Sequence, residues 1–134
     1  MLADLALFSF LKIIAKIHKF RHVLAFRNDK RLTERVPNFS VDMGFGLHIG
    51  WAIEGAIGSD FKIDASYLSP NVNMASRLEA ATRQFGVPIL ISGVLVKNMT
   101  ARFITYLRQI DVVTVKGSIE PVEFWTIDMN LELL

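Results

Sequence analysis

The first stretch of the chain has the periodicity of an amphipathic helix. Between Leu5 and Lys16, apolar and basic positions separate at spacings of three and four residues, as they do on the two sides of a helix. We therefore predict a helix from about residue 3 to about residue 20. A charged, solvated connector follows and ends at Pro37, which opposes continued helix.

From Phe39 the pattern changes to alternating apolar positions interrupted by five glycines. Glycine at this density in strand-like sequence indicates bulges, tight turns or close backbone approach. We predict two antiparallel strands, over about 40–50 and 51–58, joined by a turn near Gly50.

A second helix is predicted over 70–85 from its signals at both ends. Ser69 is a favourable N-cap, and Pro70 suits the first helical position. Gly86 followed by Pro88 is a strong helix stop.

The remaining sequence predicts a buried strand, a short helix and a closing hairpin. These elements cover residues 87–92 and about 93–103, and then DVVTVKG and EPVEFWTI, joined around Gly117 and Ser118. The order of elements favours an α+β fold, with a mixed or antiparallel sheet and helices packed on one face. A chain of 134 residues fits one domain.

The composition of the chain excludes several kinds of site and partner. The chain has no cysteine, which excludes disulfides, thiolate metal sites and cysteine nucleophiles. A formal net charge of +2 is too small to indicate nucleic acid or an anionic membrane as a partner. The apolar N-terminus is interrupted by Asp4, Lys12 and Lys16, whereas a membrane span needs about 20 nearly uncharged residues. We expect a packed or partner-facing helix there, without a secretory signal.

Asn73 and Arg77 are the sharpest candidate site. They are four residues apart, so they share one face of the predicted helix. Both lie in its first two turns, where the helix N-terminus favours negative charge. An amide, a guanidinium and a helix end together indicate a phosphate site. On spacing alone, an exposed arginine that pairs with Glu79 or a neighbouring loop is the more ordinary interpretation.

Three motifs resemble the class III nucleotide cyclases, specifically the C-terminal half of an adenylyl/guanylyl cyclase catalytic domain. NVNMASRLEAATRQFGVPILIS is similar to the family's signature helix and following strand. GFGLHIGWAIEGAIG resembles its glycine-rich strand pair, and IDVVTVKGSIEPVEFWTID resembles its closing hairpin. The motifs occur in the family's order over about residues 41–128, and the variants look closest to protist and algal types. The resemblance implies a ferredoxin-like cyclase fold without its N-terminal strands.

The resemblance also implies roles for individual residues. Asn73 would orient the ribose, and Arg77 would offset charge that develops on the α-phosphate. Lys116 matches the lysine that holds the terminal phosphates. Ser66 occupies the base-selecting position, with Asp64 as a weaker substitute. A serine hydroxyl can donate or accept, so the choice between ATP and GTP stays open.

Cyclases of this family use two Mg²⁺ or Mn²⁺ ions, held by two aspartates that should precede the first helix seen here. ADLALFSF echoes the first of those strands and would put Asp4 in the metal position, but a helix-like run follows at once. We therefore expect no metal ligand in this chain. The resemblance divides it into a helix and connector (1–38), a cyclase core (39–128) and a tail (129–134), together half of a catalytic domain.

The implied function is that of a lyase in cyclic-nucleotide signalling, which converts ATP or GTP into the 3′,5′-cyclic monophosphate and pyrophosphate. The implied partner is a second cyclase domain, in a homo- or heterodimer, and the isolated chain is expected to be inactive. We expect a cytoplasmic location, with any membrane contact made through parts outside this chain. The alternative is a non-catalytic dimerisation or regulatory module.

Overall fold

The computed structural model describes residues 2–114 and 120–130. The first helix, α1 (Leu2–Lys19), confirms the predicted amphipathic helix. Its buried residues Ala3, Leu7 and Ile14 recur at intervals of four and seven, which places them on one stripe. The connector after α1 is largely exposed and folds into short turns of helix: α2 (Arg21–Leu24), a 3₁₀ helix (Ala25–Asn28) and α3 (Lys30–Thr33).

The strands of the described residues form two separate sheets. They are β1 (Phe45–Leu47), β2 (Ile53–Ser59), β3 (Lys62–Leu68), β4 (Ile89–Ser92), β5 (Leu107–Val113) and β6 (Val122–Ile127). Four of them make a mixed sheet in the order β1-β4-β6-β5, in which β1 and β4 are parallel and the other pairs are antiparallel. The closing hairpin is confirmed as β5 and β6, while its predicted turn at Gly117 and Ser118 lies outside the described residues.

The predicted pairing of strands 40–50 and 51–58 is wrong. β1 pairs with β4, with Phe45 opposite Ile89 and Leu47 opposite Ile91. β2 pairs instead with β3, a strand that the sequence analysis did not predict, in a hairpin whose two-residue turn is Asp60 and Phe61. The physical reason is burial: β1 lies among buried apolar side chains, whereas β2 is exposed along its whole length.

The helix α4 (Pro70–Phe85) confirms the prediction at both ends. The Ser69 hydroxyl accepts a hydrogen bond from the backbone N–H of Asn71, and Gly86 closes the helix in the left-handed conformation with φ of 64°. The short helix predicted over 93–103 is two separate helices, α5 (Gly93–Val96) and α6 (Ala101–Ile104).

The buried strand β4 carries apolar side chains on both faces. Ile89 and Ile91 belong to a cluster with Phe45, Leu47 and the buried stripe of α1. Leu90 points to the other face and packs with Leu78 of α4 and Phe124 of β6. The α+β class and the mixed sheet are confirmed. The expectation that the helices share one face is corrected, because β4 needs cover on both sides and α1 and α4 provide it.

Within residues 2–114 and 120–130, no helix is long and apolar enough to cross a membrane.

Candidate nucleotide site

The N-terminal half of α4 lines a cleft of about 720 Å³. Asn73 and Arg77 are both exposed and both contribute to its wall. Residues 120–123, which lead into β6, and the segment after β4 also line the cleft. The structure therefore brings the predicted amide and guanidinium to one cavity, beside a helix N-terminus that favours a phosphate.

A glycine allows α4 to lie directly on β1. A Cβ atom at Gly46 would collide with the backbone oxygen of Ala75 and the backbone nitrogen of Glu79, and would lie 2.9 Å from the Cβ atom of Leu78. A larger residue at this position would push the helix away from the sheet. The backbone of the GFGLHIG segment thus sets the depth at which the helix, and its cleft-facing side chains, can sit.

A chain of side-chain hydrogen bonds joins the sheet to the start of α4. The half-buried His48 contacts Ser92 Oγ through Nδ1 at 2.8 Å and Asn71 Oδ1 through Nε2 at 3.0 Å. Asn71 Nδ2 in turn donates to the backbone oxygen of Trp51 at 2.9 Å. His48 also lines the cleft. From the sequence alone, His48 is expected to be a packed strand residue. Its contacts with Asn71 and Ser92 could not be predicted, because nothing local shows that positions 48, 71 and 92 meet.

The wall opposite α4 is organised around Glu123. Trp125 Nε1 donates to Glu123 Oε2 at 3.0 Å, and Lys97 Nζ lies 4.0 Å from Glu123 Oε1. A Cβ atom at Gly93 would lie 2.6 Å from Glu123 Oε2. Lys97 therefore adds a second cationic side chain to the cleft lined by Arg77. The sequence alone does not distinguish Lys97 from other exposed lysines, because it belongs to no motif.

Two other predicted site residues, Ser66 and Asp64, lie elsewhere. Ser66 is half-buried on β3 opposite Gly55, and Asp64 is exposed on the same face of that strand. Neither lines the cleft. The Asp64 carboxylate pairs with Lys62 Nζ at 3.1 Å. Lys116 lies outside the described residues.

In the residues that the structure describes, no three His, Cys, Asp or Glu side chains come together as a metal site. The donor set of this part of the chain therefore does not fit the family's metal pair. Asp4 has a structural contact instead. It is 6% exposed in α1, and its Oδ1 accepts the backbone N–H of Thr100 at 3.0 Å. That hydrogen bond is the main cause that holds the pKa of Asp4 below its usual value.

Comparison with known proteins finds adenylate cyclases. The chain is 35% identical over 105 residues to an adenylate cyclase of Anabaena cylindrica, a match over 75% of this chain and 20% of the relative. It is 32% identical over 69 residues to adenylate cyclase 1 of Rhizobium meliloti (52% of this chain, 10% of the relative). It is 30% identical over 89 residues to the terminal-differentiation-specific adenylate cyclase of Dictyostelium discoideum (66% and 4%). The chain thus spans a fifth or less of the length of these relatives. No family model matches it.

Solved structures give the same result. A bacterial light-regulated adenylyl cyclase matches with a TM-score of 0.53 and 32% identity, over 63% of this chain and 23% of that one. The adenylyl cyclase CyaB from P. aeruginosa matches with a TM-score of 0.50 and 25% identity, over 80% and 55%.

The α+β fold, with an Asn/Arg helix lining a cleft, is that of a nucleotide cyclase domain. With the relatives and the three ordered motifs, the chain belongs to the class III nucleotide cyclase catalytic domains. The protist and algal likeness stays a prediction.

Proposed function

We propose that this chain supplies the transition-state half of a purine nucleotide cyclase site. The observation that carries the proposal is the meeting of Asn73 and Arg77 in one cleft at the N-terminal half of α4. Side chains four residues apart on a helix can contact one ligand together. Charge in the reaction develops on phosphate oxygens, and a fixed guanidinium is suited to stabilise it.

The reaction is an intramolecular in-line displacement. The ribose 3′-oxygen forms a bond to the α-phosphorus, the bond to pyrophosphate breaks, and the hydroxyl proton is released. In this proposal Asn73 orients the ribose and Arg77 contacts the α-phosphate. Lys116 holds the terminal phosphates. The substrate is ATP or GTP, and the relatives, which are adenylate cyclases, favour ATP.

The second half of the site is proposed to come from another cyclase domain. That domain would contribute the metal-binding aspartates, and the chain's own core would span about residues 39–128. The non-catalytic alternative, a dimerisation or regulatory module, is supported by the hairpin of β2 and β3. Its large apolar side chains are exposed, among them Ile53, Phe61, Ile63 and Leu68. Such a surface fits a pairing partner.

Reconstitution tests the proposal. The chain is mixed with a class III cyclase domain that keeps its metal aspartates but has its own Asn/Arg pair replaced by alanine. With Mn²⁺ and either ATP or GTP, we expect cyclic nucleotide from the mixture and none from either domain alone. Arg77→Ala or Asn73→Ala should lower kcat by about 100- to 1,000-fold. Lys116→Ala should mainly raise KM.

Arg83→Ala is the matched control, because Arg83 lies on α4 but lines a different cleft, with Glu79 and Thr82. It should leave kcat unchanged. Equal kcat with and without Arg77→Ala would overturn the site. A mixture that co-elutes as a dimer and stays inactive would establish the non-catalytic alternative. Two domains that never co-elute would overturn the shared site.

A further inference from the structure

We propose that His48 and Asn71 are positioning residues, which fix the N-terminus of α4 and thereby hold Asn73 and Arg77 in their reactive placement. The inference rests on the proposed function. It adds two residues outside the Asn/Arg pair and the lysine, and neither of them acts on the nucleotide itself.

The hydrogen-bond pattern assigns the protons. Asn71 Nδ2 donates to the Trp51 carbonyl oxygen, so Asn71 Oδ1 faces His48 and can only accept. His48 Nε2 must therefore carry a proton. In the neutral ring Nδ1 is then the acceptor, and the Ser92 hydroxyl donates to it. One tautomer satisfies every contact in the chain of hydrogen bonds.

Both ends of this hydrogen-bond chain are anchored. Ser92 is fully buried at the end of β4, and its Oγ also accepts the backbone N–H of Leu95 at 3.4 Å. At the other end, Trp51 O also accepts the hydroxyl of Ser69, the N-cap of α4. Gly50 leaves the space that Asn71 occupies, because a Cβ atom there would collide with the Asn71 amide group. The first turn of α4 is thus tied to the sheet by side chains.

The position of the first turn of α4 determines the positions of the two proposed catalytic side chains. Asn73 and Arg77 follow Asn71 by two and six residues, about 3 Å and 9 Å along the helix axis at about 1.5 Å per residue. A shift of the first turn therefore moves both side chains relative to the facing wall. Misplacement of reacting groups by about 1 Å can cost about 100-fold in rate. Holding the first turn is consequently a catalytic requirement and not only a structural one.

The first test is made on the chain alone and needs no activity. Long-range ¹H–¹⁵N spectra of the imidazole should show that the neutral ring of His48 carries its proton on Nε2 and not on Nδ1. Asn71→Ala should remove this tautomer preference, and amide exchange in the first turn of α4 should accelerate by about tenfold or more. A neutral ring that carries its proton on Nδ1 in the unaltered chain, or unchanged exchange in Asn71→Ala, would overturn the proposal.

The second test uses the reconstituted pair. His48→Ala and Asn71→Ala should each lower kcat by about 10- to 100-fold with KM changed less than about threefold. The double variant should fall no further than the worse single variant, because the two residues act through one contact. His48→Gln, which keeps an N–H donor, should recover part of the loss.

Two controls separate this role from general destabilisation. His22→Ala removes an exposed histidine on α2, and Asn98→Ala removes an exposed amide that donates to the Val94 carbonyl oxygen at 2.8 Å. Both should keep the original kcat. Multiplying losses in the double variant, or losses that track melting temperature across the four single alanine variants, would overturn the positioning role. If Arg77→Ala is also silent, the proposed function fails instead.

Discussion

Two neighbouring regions of the chain differ in the burial of their apolar side chains. On α4 and the four-stranded sheet, Leu78, Leu90 and Phe124 are at most 4% exposed. On the adjacent hairpin of β2 and β3, Ile57 and Ile63 are 54% and 71% exposed. The first region is completed by contacts within the chain. The second presents surface of the kind that a partner covers, as the proposed pairing with a second cyclase domain requires.

Removal of a buried side chain from α4 is expected to have the largest effect on stability. Leu78→Ala should lower the free energy of unfolding by about 2–5 kcal/mol, because it leaves a cavity between the helix, β4 and β6. Ile63→Ala on the hairpin should change it by less than about 0.5 kcal/mol. Urea unfolding followed by circular dichroism measures both. Similar losses in the two variants would mean that the hairpin is packed in solution.

A pair of glycine substitutions tests the same contrast at the backbone. Gly46→Ala should cost about 1–3 kcal/mol, since the added methyl group meets the backbone of α4. Gly55→Ala on β2 meets nothing within 4 Å and should be neutral or slightly stabilising. Thermal unfolding of both variants gives the comparison. A destabilised Gly55→Ala chain would show that the hairpin has a close neighbour.

Acid is expected to destabilise the folded chain by protonating Asp4. Its pKa is lower in the folded chain than the ordinary 3.8, chiefly because of the Thr100 N–H. The stabilisation is therefore present above that ordinary value and is lost as pH falls through the folded value. Asp4→Asn should lower the melting temperature at neutral pH by a few degrees and flatten its decline in acid. An unaltered acid profile in Asp4→Asn would contradict this.

Local signals predicted the elements that local physics determines. The cap at Ser69 and the stop at Gly86 set both ends of α4, and the apolar residues of VPILIS (87–92) indicated a buried strand. These features depend on residues a few positions apart. For the same reason, helical spacing alone was enough to predict that Asn73 and Arg77 share one face of α4.

Strand pairing and long-range contacts could not be predicted in this way. Alternation showed strand character near Phe45 but could not show that its partner is Ile89, 44 positions along the chain. The same limit hid the contacts of His48, whose partners are 23 and 44 residues away. β3 was missed although its sequence, KIDASYL, alternates polar and apolar positions over most of its length, which is a local strand signal. Strand partners and buried polar contacts arise from the whole fold.

The smallest effect on stability is expected from removing the ion pair between Lys62 and Asp64 on the hairpin. Lys62 and Asp64 side chains are 79% and 62% exposed, so water and salt screen their 3.1 Å contact. Asp64→Asn should shift the melting temperature by no more than about 1 °C, with no change between low and high salt. Asp4→Asn, the same substitution at a buried position of α1, is the matched control. A larger or salt-dependent shift for Asp64→Asn would place this carboxylate in a more desolvated setting and would remove the contrast between the two regions.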